Sequence, residues 1–273
     1  MTKGLPNCDY LSLDLRGFHL TITFDRPEAR NAMNVAMVRE LEAAFEAASA
    51  NPAISAIVLR GAGKHFCAGG DLKDMTDALD PPAPGEEDAL FWVNRRFGDL
   101  LTRVDQAPQV IISVVHGAAR GGGFGLVCVS DIVIARADAS FAMPETGLGL
   151  PPAQILPFVA MRLGRHRARR MALTGKPMTG EEAGQLGLVH YVCAEEAAAE
   201  TALKEVLGQV KDRGPAALTQ AKHLINQVGR TPLSLLLDEG ARLVAKSSRS
   251  GEGHEGLTAF TEKRPPEWAT RKV

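Results

Sequence analysis

Two glycine stretches and one acid in the 273-residue chain have the residue types that polarise a carbonyl and move a proton. "HFCAGGDLKDM" (65–75) and "GAARGGGFGL" (117–126) each follow an apolar run and pass through glycines into a helical pattern. Where a strand gives way to a helix, backbone N–H groups are free and the helix dipole adds partial positive charge. Glycine lets a carbonyl oxygen come close to those groups. Two such turns converging on one point make an oxyanion hole, whereas either alone reads as a tight packing turn. The acid is Glu145 in "FAMPETGLGL" (141–150), whose apolar neighbours would raise its pKa toward neutrality once buried. A Pro-Glu pair without such neighbours is a surface turn.

Competing chemistries lack their frames. "GGGFG" does not have G-x-G-x-x-G spacing, and "GAGKHF" (61–66) is no phosphate loop. Neither a G-x-S-x-G nor an H-E-x-x-H motif occurs. Cys8, Cys67, Cys128 and Cys193 show no metal-ligand spacing and read as free thiols of a reducing compartment. With 31 basic and 32 acidic residues, the net charge of −1 offers no field to draw in nucleic acid or a membrane. The basic run "RLGRHRARR" (162–170), on one helical stretch, reads as a solvated or subunit-contact face, because no aromatic residues interleave it. No run approaches the roughly 20 apolar residues of a membrane helix, and the N-terminus lacks a signal-like apolar core, so a cytoplasmic protein is expected.

The elements that must hold these residues follow from periodicity. Residues 10–27 alternate as a hairpin about Arg16-Gly17. The next segment, 34–51, places Val35, Val38, Leu41, Phe45 and Ala48 on one helical face, and 54–63 is a buried strand. Strand and helix patterns recur through 88–106, 110–117, 131–137 and 140–145, which argues for stacked sheets with helices outside. The proline- and acid-rich stretch 76–88 reads as a mobile surface loop or a lid. From about residue 195 only helical patterns remain, separated by Gly-Pro, Thr-Pro and Ser-Gly breaks. Two regions are expected: a core over 1–194 and a helical oligomerisation region over 195–273.

At this point a resemblance is specific. "RPEARNAM" (26–33), "LRGAGKHFCAGGDLKDM" (59–75), "HGAARGGGFGLVCVSDIVIARADASFAMPETGLGLPP" (116–152), "ALTGKPMTGEEAGQLGLVHYV" (172–192) and "AFTEKRPPEW" (259–268) resemble, in order, the motifs of the crotonase, or enoyl-CoA hydratase/isomerase, superfamily. Within it, "GGGFGLVCVSD", "PETGLGL" and "PAQILPFVAMRLG" are most similar to isohexenylglutaconyl-CoA hydratases of acyclic terpene breakdown, and next to methylglutaconyl-CoA hydratases.

The resemblance implies an α/β spiral of ββα units with a helical C-terminal trimerisation region, assembled as a homotrimer or hexamer. It assigns the two oxyanion amides to Gly70 and Gly122, and proton transfer to Glu145. The family's hydratases carry a second glutamate two residues beyond the triple glycine; Gly125 stands there instead. Coenzyme A, as part of the substrate, would meet Arg26, Arg30, Phe260 and Lys263, the last two reaching toward a neighbouring subunit. Ala68, Gly69, Asp71 and Leu72 would lie beside the substrate, and Asp71 is also set to cap the short helix after it. His65 and His116 read as structural hydrogen-bonders, and Asp131 as a turn residue. Arg120 reads as a solvated side chain or a partner for a distal carboxylate. No metal or redox cofactor is implied.

The expected activity is hydration of an α,β-unsaturated acyl-CoA with a 3-branched glutaconyl group. Δ3,Δ2-enoyl-CoA isomerisation is the alternative, since moving one proton between two carbons needs only one carboxylate. A catalytically silent binder of RNA or protein is a third reading, opposed by the intact glycine and Pro-Glu motifs.

Overall fold

The computed structural model describes residues 4–76, 82–83 and 85–271. Residues 77–81 and 84, within the stretch read as a loop or lid, lie outside them.

A hairpin opens the chain, with β1 (Leu11–Arg16) antiparallel to β2 (His19–Phe24) and Gly17 at φ 51° in the turn. Next to β2 run β3 (Ala56–Gly61), β4 (Val110–Val115), β6 (Ile132–Arg136) and β9 (Tyr191–Cys193), all parallel, in the order β1-β2-β3-β4-β6-β9. A second sheet of three strands joins β5 (Ala118–Arg120), β7 (Ser140–Ala142) and β8 (Met178–Thr179).

Strands buried on both faces read as continuous apolar runs, and alternate residues serve different cores. Ile57 and Leu59 of β3 face the larger core, and Ala56 and Val58 the smaller. β4 repeats this with Ile111 and Val115 against Ile112 and Val114. The larger core is covered by α1 (Val35–Ser49), whose Met37, Leu41 and Phe45 are fully buried. Val35 of the expected apolar face is only half-buried; it is the first residue of the helix, and its N–H donates to the Asp74 carboxylate at 2.7 Å. Asn34 caps this helix, accepting from the Met37 N–H at 2.8 Å.

Between β3 and β4 come α2 (Leu72–Thr76) and α3 (Ala89–Asp105). Inside α3, Gly98 is buried, and a Cβ there would fall 2.0 Å from Gln154 Oε1. A helix-interior glycine costs about 1 kcal/mol relative to alanine. The short α4 (Gly122–Cys128) links the two sheets.

α5 (Leu156–Leu163) and α6 (Arg165–Thr174) follow β7. The basic run 162–170 is therefore not one helical stretch: Gly164, at φ 78°, breaks it. Arg162, at the end of α5, turns inward and donates to the Cys128 and Ser130 carbonyls. α7 (Gly180–Gln185) is opened by a capping box of Thr179 and Glu182. Among the cysteines, Cys67 and Cys128 are buried free thiols, which burial pushes up to about 12. Among the described residues no helix is long and apolar enough to cross a membrane.

Of the C-terminal helices, α8 (Glu196–Lys211) completes the smaller core with Leu203, Val206, Leu207 and Val210. α9 (Pro215–Gln227), α10 (Leu233–Arg249) and α11 (Glu252–Thr261) bury only Leu236 and Ala259, and leave Ile225, Leu233, Leu237, Val244 and Phe260 exposed. α9 is pinned to the core by polar bonds. Lys222 Nζ donates to Asp131 Oδ2 at 2.7 Å and to the Gln109 carbonyl at 3.1 Å, and Asn226 donates to the Asp105 carbonyl at 2.9 Å. Asp131 also accepts the Ile111 N–H at 2.7 Å, so the expected turn residue binds sheet and helix together. Lys222→Met is expected to lower stability by about 2 kcal/mol, since it strips two bonds to a largely buried ammonium. Urea denaturation of the two proteins measures this.

Candidate active site

The turn at 26–33 starts the site. Arg30 and Asn31 both lie in the left-handed region, at φ 54° and 56°. A short amide side chain tolerates this conformation better than a long one. Asn31 is fully buried; its Oδ1 accepts the Arg26 N–H at 2.9 Å, and its Nδ2 donates to the Ala62 and His65 carbonyls at 2.9 and 2.7 Å. The turn fixed in this way grips the first glycine stretch. Ala68 N–H donates to the Arg30 carbonyl at 3.0 Å, Met33 N–H to Gly69 at 2.8 Å, and Asp71 N–H to Met33 at 2.9 Å.

On the opposite side the same stretch is zipped to β5. Cys67 N–H donates to Ala118 at 2.9 Å, and its carbonyl accepts from Arg120 at 2.9 Å. A Cβ on Gly69 (φ 108°) would stand 3.2 Å from the Arg120 carbonyl, and one on Gly121 (φ 50°) would stand 3.6 Å from the Gly69 Cα. The two glycine turns therefore touch backbone to backbone. One residue beyond that contact on each strand lie Gly70 and Gly122. Met33 bonds to the residues flanking Gly70, which turns the Gly70 N–H to the other side. Gly122 opens α4, and the first partner of that helix is Gly125 N–H on the Gly121 carbonyl at 3.0 Å. Neither the Gly70 nor the Gly122 amide has an acceptor among the described residues.

Register brings the acid to the same place. Arg120 pairs with Ala142, and Gly121 N–H donates to the Ala142 carbonyl at 3.0 Å, so the chain three residues on returns over the glycines. Glu145 opens a 3-10 turn there, with Oε1 2.9 Å from where a Gly121 Cβ would be. Any side chain at 121 would occupy the carboxylate's place. Oε2 of Glu145 is buried without a hydrogen-bond partner. Desolvation raises its pKa above the ordinary carboxylate value, partly offset by a hydrogen bond to its own backbone. Two free amides and one desolvated carboxylate can hold a carbonyl oxygen as it becomes an enolate and move a proton at the neighbouring carbons.

Apolar side chains wall the rest. Over Gly122 stand Met33 Cε and Phe97 Cζ, at 2.6 and 2.8 Å from a built Cβ. At Gly125, where the sequence lacks the second glutamate, a Cβ would meet Ile155 Cγ2 at 2.6 Å and Leu101 Cδ1 at 3.2 Å. Hydrocarbon fills that position, so no acid fits there as the chain stands.

Arg26 pairs with Asp71 at 3.0 Å, also donates to the Ala32 carbonyl, and lies 5.4 Å over the Tyr10 ring. Asp71 caps α2 through the Lys73 N–H at 3.1 Å. These two candidate ligand contacts are thus committed to each other and to the turn. Arg30 is exposed, Ala68 half-buried, and Leu72, the first residue of α2, half-exposed. Phe260 and Lys263 lie far along the chain at the end of α11, Phe260 85% exposed and Lys263 left-handed at φ 55°. His65 Nδ1 accepts the Ala118 N–H at 3.2 Å and His116 Nε2 bonds the Gly63 carbonyl at 3.0 Å, both structural; Arg120 is exposed. Asn31, Met33, Phe97 and Ile155 escaped the sequence reading. Only Asn31 carried a signal, a polar residue between the Arg-Pro turn and a helix cap.

The α/β core thus brings two unpaired amides and a desolvated carboxylate close together, an arrangement that can stabilise an enolate. The chain belongs to the enoyl-CoA hydratase/isomerase family, whose profile matches residues 19–271. Its fold superposes on AtuE of Pseudomonas aeruginosa with a TM-score of 0.92, at 46% identity over 96% of this chain and 100% of that one. Its sequence is 32% identical to the 2,3-dehydroadipyl-CoA hydratase of Escherichia coli K12, over 92% of this chain and 95% of the relative. It is 33% identical to the 1,2-epoxyphenylacetyl-CoA isomerase of the same organism, over 91% and 94%. Near-equal likeness to a hydratase and an isomerase leaves the choice of reaction to the site residues.

Burial of Glu145 has a consequence for stability. A carboxyl whose pKa is raised in the fold favours folding while protonated, and this contribution is lost as pH rises from the unfolded value of 4.5 through the folded one. Glu145→Gln, always neutral, is expected to be more stable than the parent near pH 7, with the difference shrinking as pH falls toward 4.5 and gone below it. Thermal melts across pH read this directly.

Proposed function

We propose that the enzyme adds water to an α,β-unsaturated acyl-CoA whose acyl group is a 3-branched glutaconyl chain such as isohexenylglutaconyl. The Gly70 and Gly122 amides hold the thioester oxygen, and Glu145 makes both proton transfers. It takes a proton from water as the oxygen bonds to C3, then delivers that proton to C2 of the enolate. The observation that carries this reading is the Glu145 carboxylate over Gly121, beside the two unpartnered amides. An oxyanion donor of this kind contributes about 3–4 kcal/mol to the barrier, several hundredfold in rate. Arg30, Ala68, Gly69 and Leu72 line the thioester and coenzyme A side, supported by the Arg26–Asp71 pair. Phe260 and Lys263 meet the nucleotide from a neighbouring subunit. The exposed apolar face of α9 to α11 supports assembly as a trimer or a pair of trimers.

Isomerisation of a 3-enoyl-CoA is the second reading, favoured by the hydrocarbon at Gly125, which leaves one acid. Incubation with a 3-enoyl-CoA and with a 3-substituted glutaconyl-CoA separates the two. Hydration of the glutaconyl thioester is expected, and turnover of the 3-enoyl-CoA alone would overturn it. Glu145→Gln is expected to retain acyl-CoA binding by calorimetry while kcat falls by about three orders of magnitude.

A further inference from the structure

The Glu145 carboxylate is not held by another side chain. Its Oε2 is buried without a partner, and the one hydrogen bond that bears on its acidity comes from its own backbone. Its place over Gly121 is therefore set by the 3-10 turn that carries it, Glu145–Leu148. A turn this short makes poor hydrogen bonds of its own, so its orientation depends on what it touches.

Ahead of the turn, β7 is held between β5 and β8, with Phe141 opposite Met178. Behind it, the bonds stay within the segment: Leu150 N–H donates to the Glu145 carbonyl at 3.1 Å, and Gly149 N–H to the Thr146 carbonyl at 3.2 Å. The turn reads Glu-Thr-Gly-Leu, so Thr146 is its only polar side chain besides the acid.

Thr146 supplies the link to another element. Its Oγ1 donates to the Ala172 carbonyl at 2.9 Å. Ala172 lies in the last turn of α6, where carbonyls have no partner within the helix. Gly175 N–H takes the Met171 carbonyl at 2.9 Å, and the threonine takes the next one. This platform is firm, because Ala168, Met171 and Ala172 are buried in the larger core. A Cβ on Gly175 would stand 3.9 Å from the Met143 carbonyl, so the helix end also lies against the chain that delivers the acid.

We propose that Thr146 is a positioning residue, whose hydroxyl, bonded to the Ala172 carbonyl at the end of α6, orients the turn so that the Glu145 carboxylate stays over Gly121 and out of water. Thr146 touches no reacting atom and moves no proton. The inference rests on the reading of Glu145 as the proton-transfer group, and it holds for hydration and isomerisation alike.

The test follows a step common to both reactions, exchange of the C2 protons of a saturated acyl-CoA in D2O. Glu145 takes a C2 proton as the thioester becomes an enolate on the two amides, and after exchange with solvent it returns a deuteron. Thr146→Val keeps the shape of the side chain and removes the hydroxyl. It is expected to lower the kcat of exchange about 10- to 30-fold, while KM changes less than about twofold. The pH profile adds a readout that lost stability alone does not move. Exchange needs Glu145 as a carboxylate, so the rate falls as pH drops through a pKa that burial holds above 4.5. A carboxylate let out into water moves that acid limb down toward 4.5 in Thr146→Val. Thr146→Ser keeps the donor and is expected to exchange within about threefold of the parent, with the parent's acid limb. An undiminished rate in Thr146→Val, an acid limb that does not move, or a Thr146→Ser as impaired as Thr146→Val overturns the proposal. Should Thr146→Val not fold, Thr146→Ala against Thr146→Ser carries the same comparison, and equal rates overturn it. If Glu145→Gln exchanges as fast as the parent, the reading of Glu145 itself has failed; an inactive Glu145→Gln with an indifferent Thr146→Val sinks only this inference.

Discussion

The site depends on a contact with no side chains in it. Gly69 and Gly121 let two backbones meet at van der Waals distance, and the amides just beyond them are left without an acceptor among the described residues. Both residues have positive φ, so a side chain at either would be strained as well as crowded. The hydrogen-bond ladders outside that contact make it rigid. The Asn31 turn holds one strand from behind, and the Ala118–Arg120 pairing holds the other. Under the proposed function, donors fixed in this way need no reorganisation when charge develops on the thioester oxygen.

The acid reaches this point through the sheet. Because β5 pairs with β7 in register, Ala142 closes on Gly121 and Glu145 arrives three residues later, over the same glycine. Its burial without a partner for Oε2 is therefore a product of topology, and costs stability that a neutral residue would not.

Much of the scaffold was legible because period and punctuation agree. The alternation over 10–27, the helical face that begins after residue 34 and the apolar runs of β3 and β4 each have one reading, and the structure has a hairpin, a helix and two strands there. The glycine stretches and Pro144-Glu145 could be singled out by residue type. What could not be read was which side chains stand against them. Met33, Phe97, Leu101 and Ile155 are ordinary apolar residues in helices and turns, and only the packing of α3 against α4 gives them a place at the site. The Gly164 break failed for a related reason: arginines before and after it share a charge, but Arg162 satisfies buried carbonyls while its neighbours face solvent. Arg26, expected from the resemblance to meet coenzyme A, is in the fold paired with Asp71 and the Ala32 carbonyl.

The packing at Gly125 also bears on how such an enzyme diversifies. A glutamate introduced there meets Ile155 and Leu101 before it meets substrate, and overpacking of this kind costs about 1–3 kcal/mol even without the charge. A two-acid descendant would first have to shrink Ile155 or Leu101, a change that opens a cavity and brings no benefit by itself. Passing from one acid to two at this position therefore takes coupled substitutions, with an unfavourable intermediate in either order.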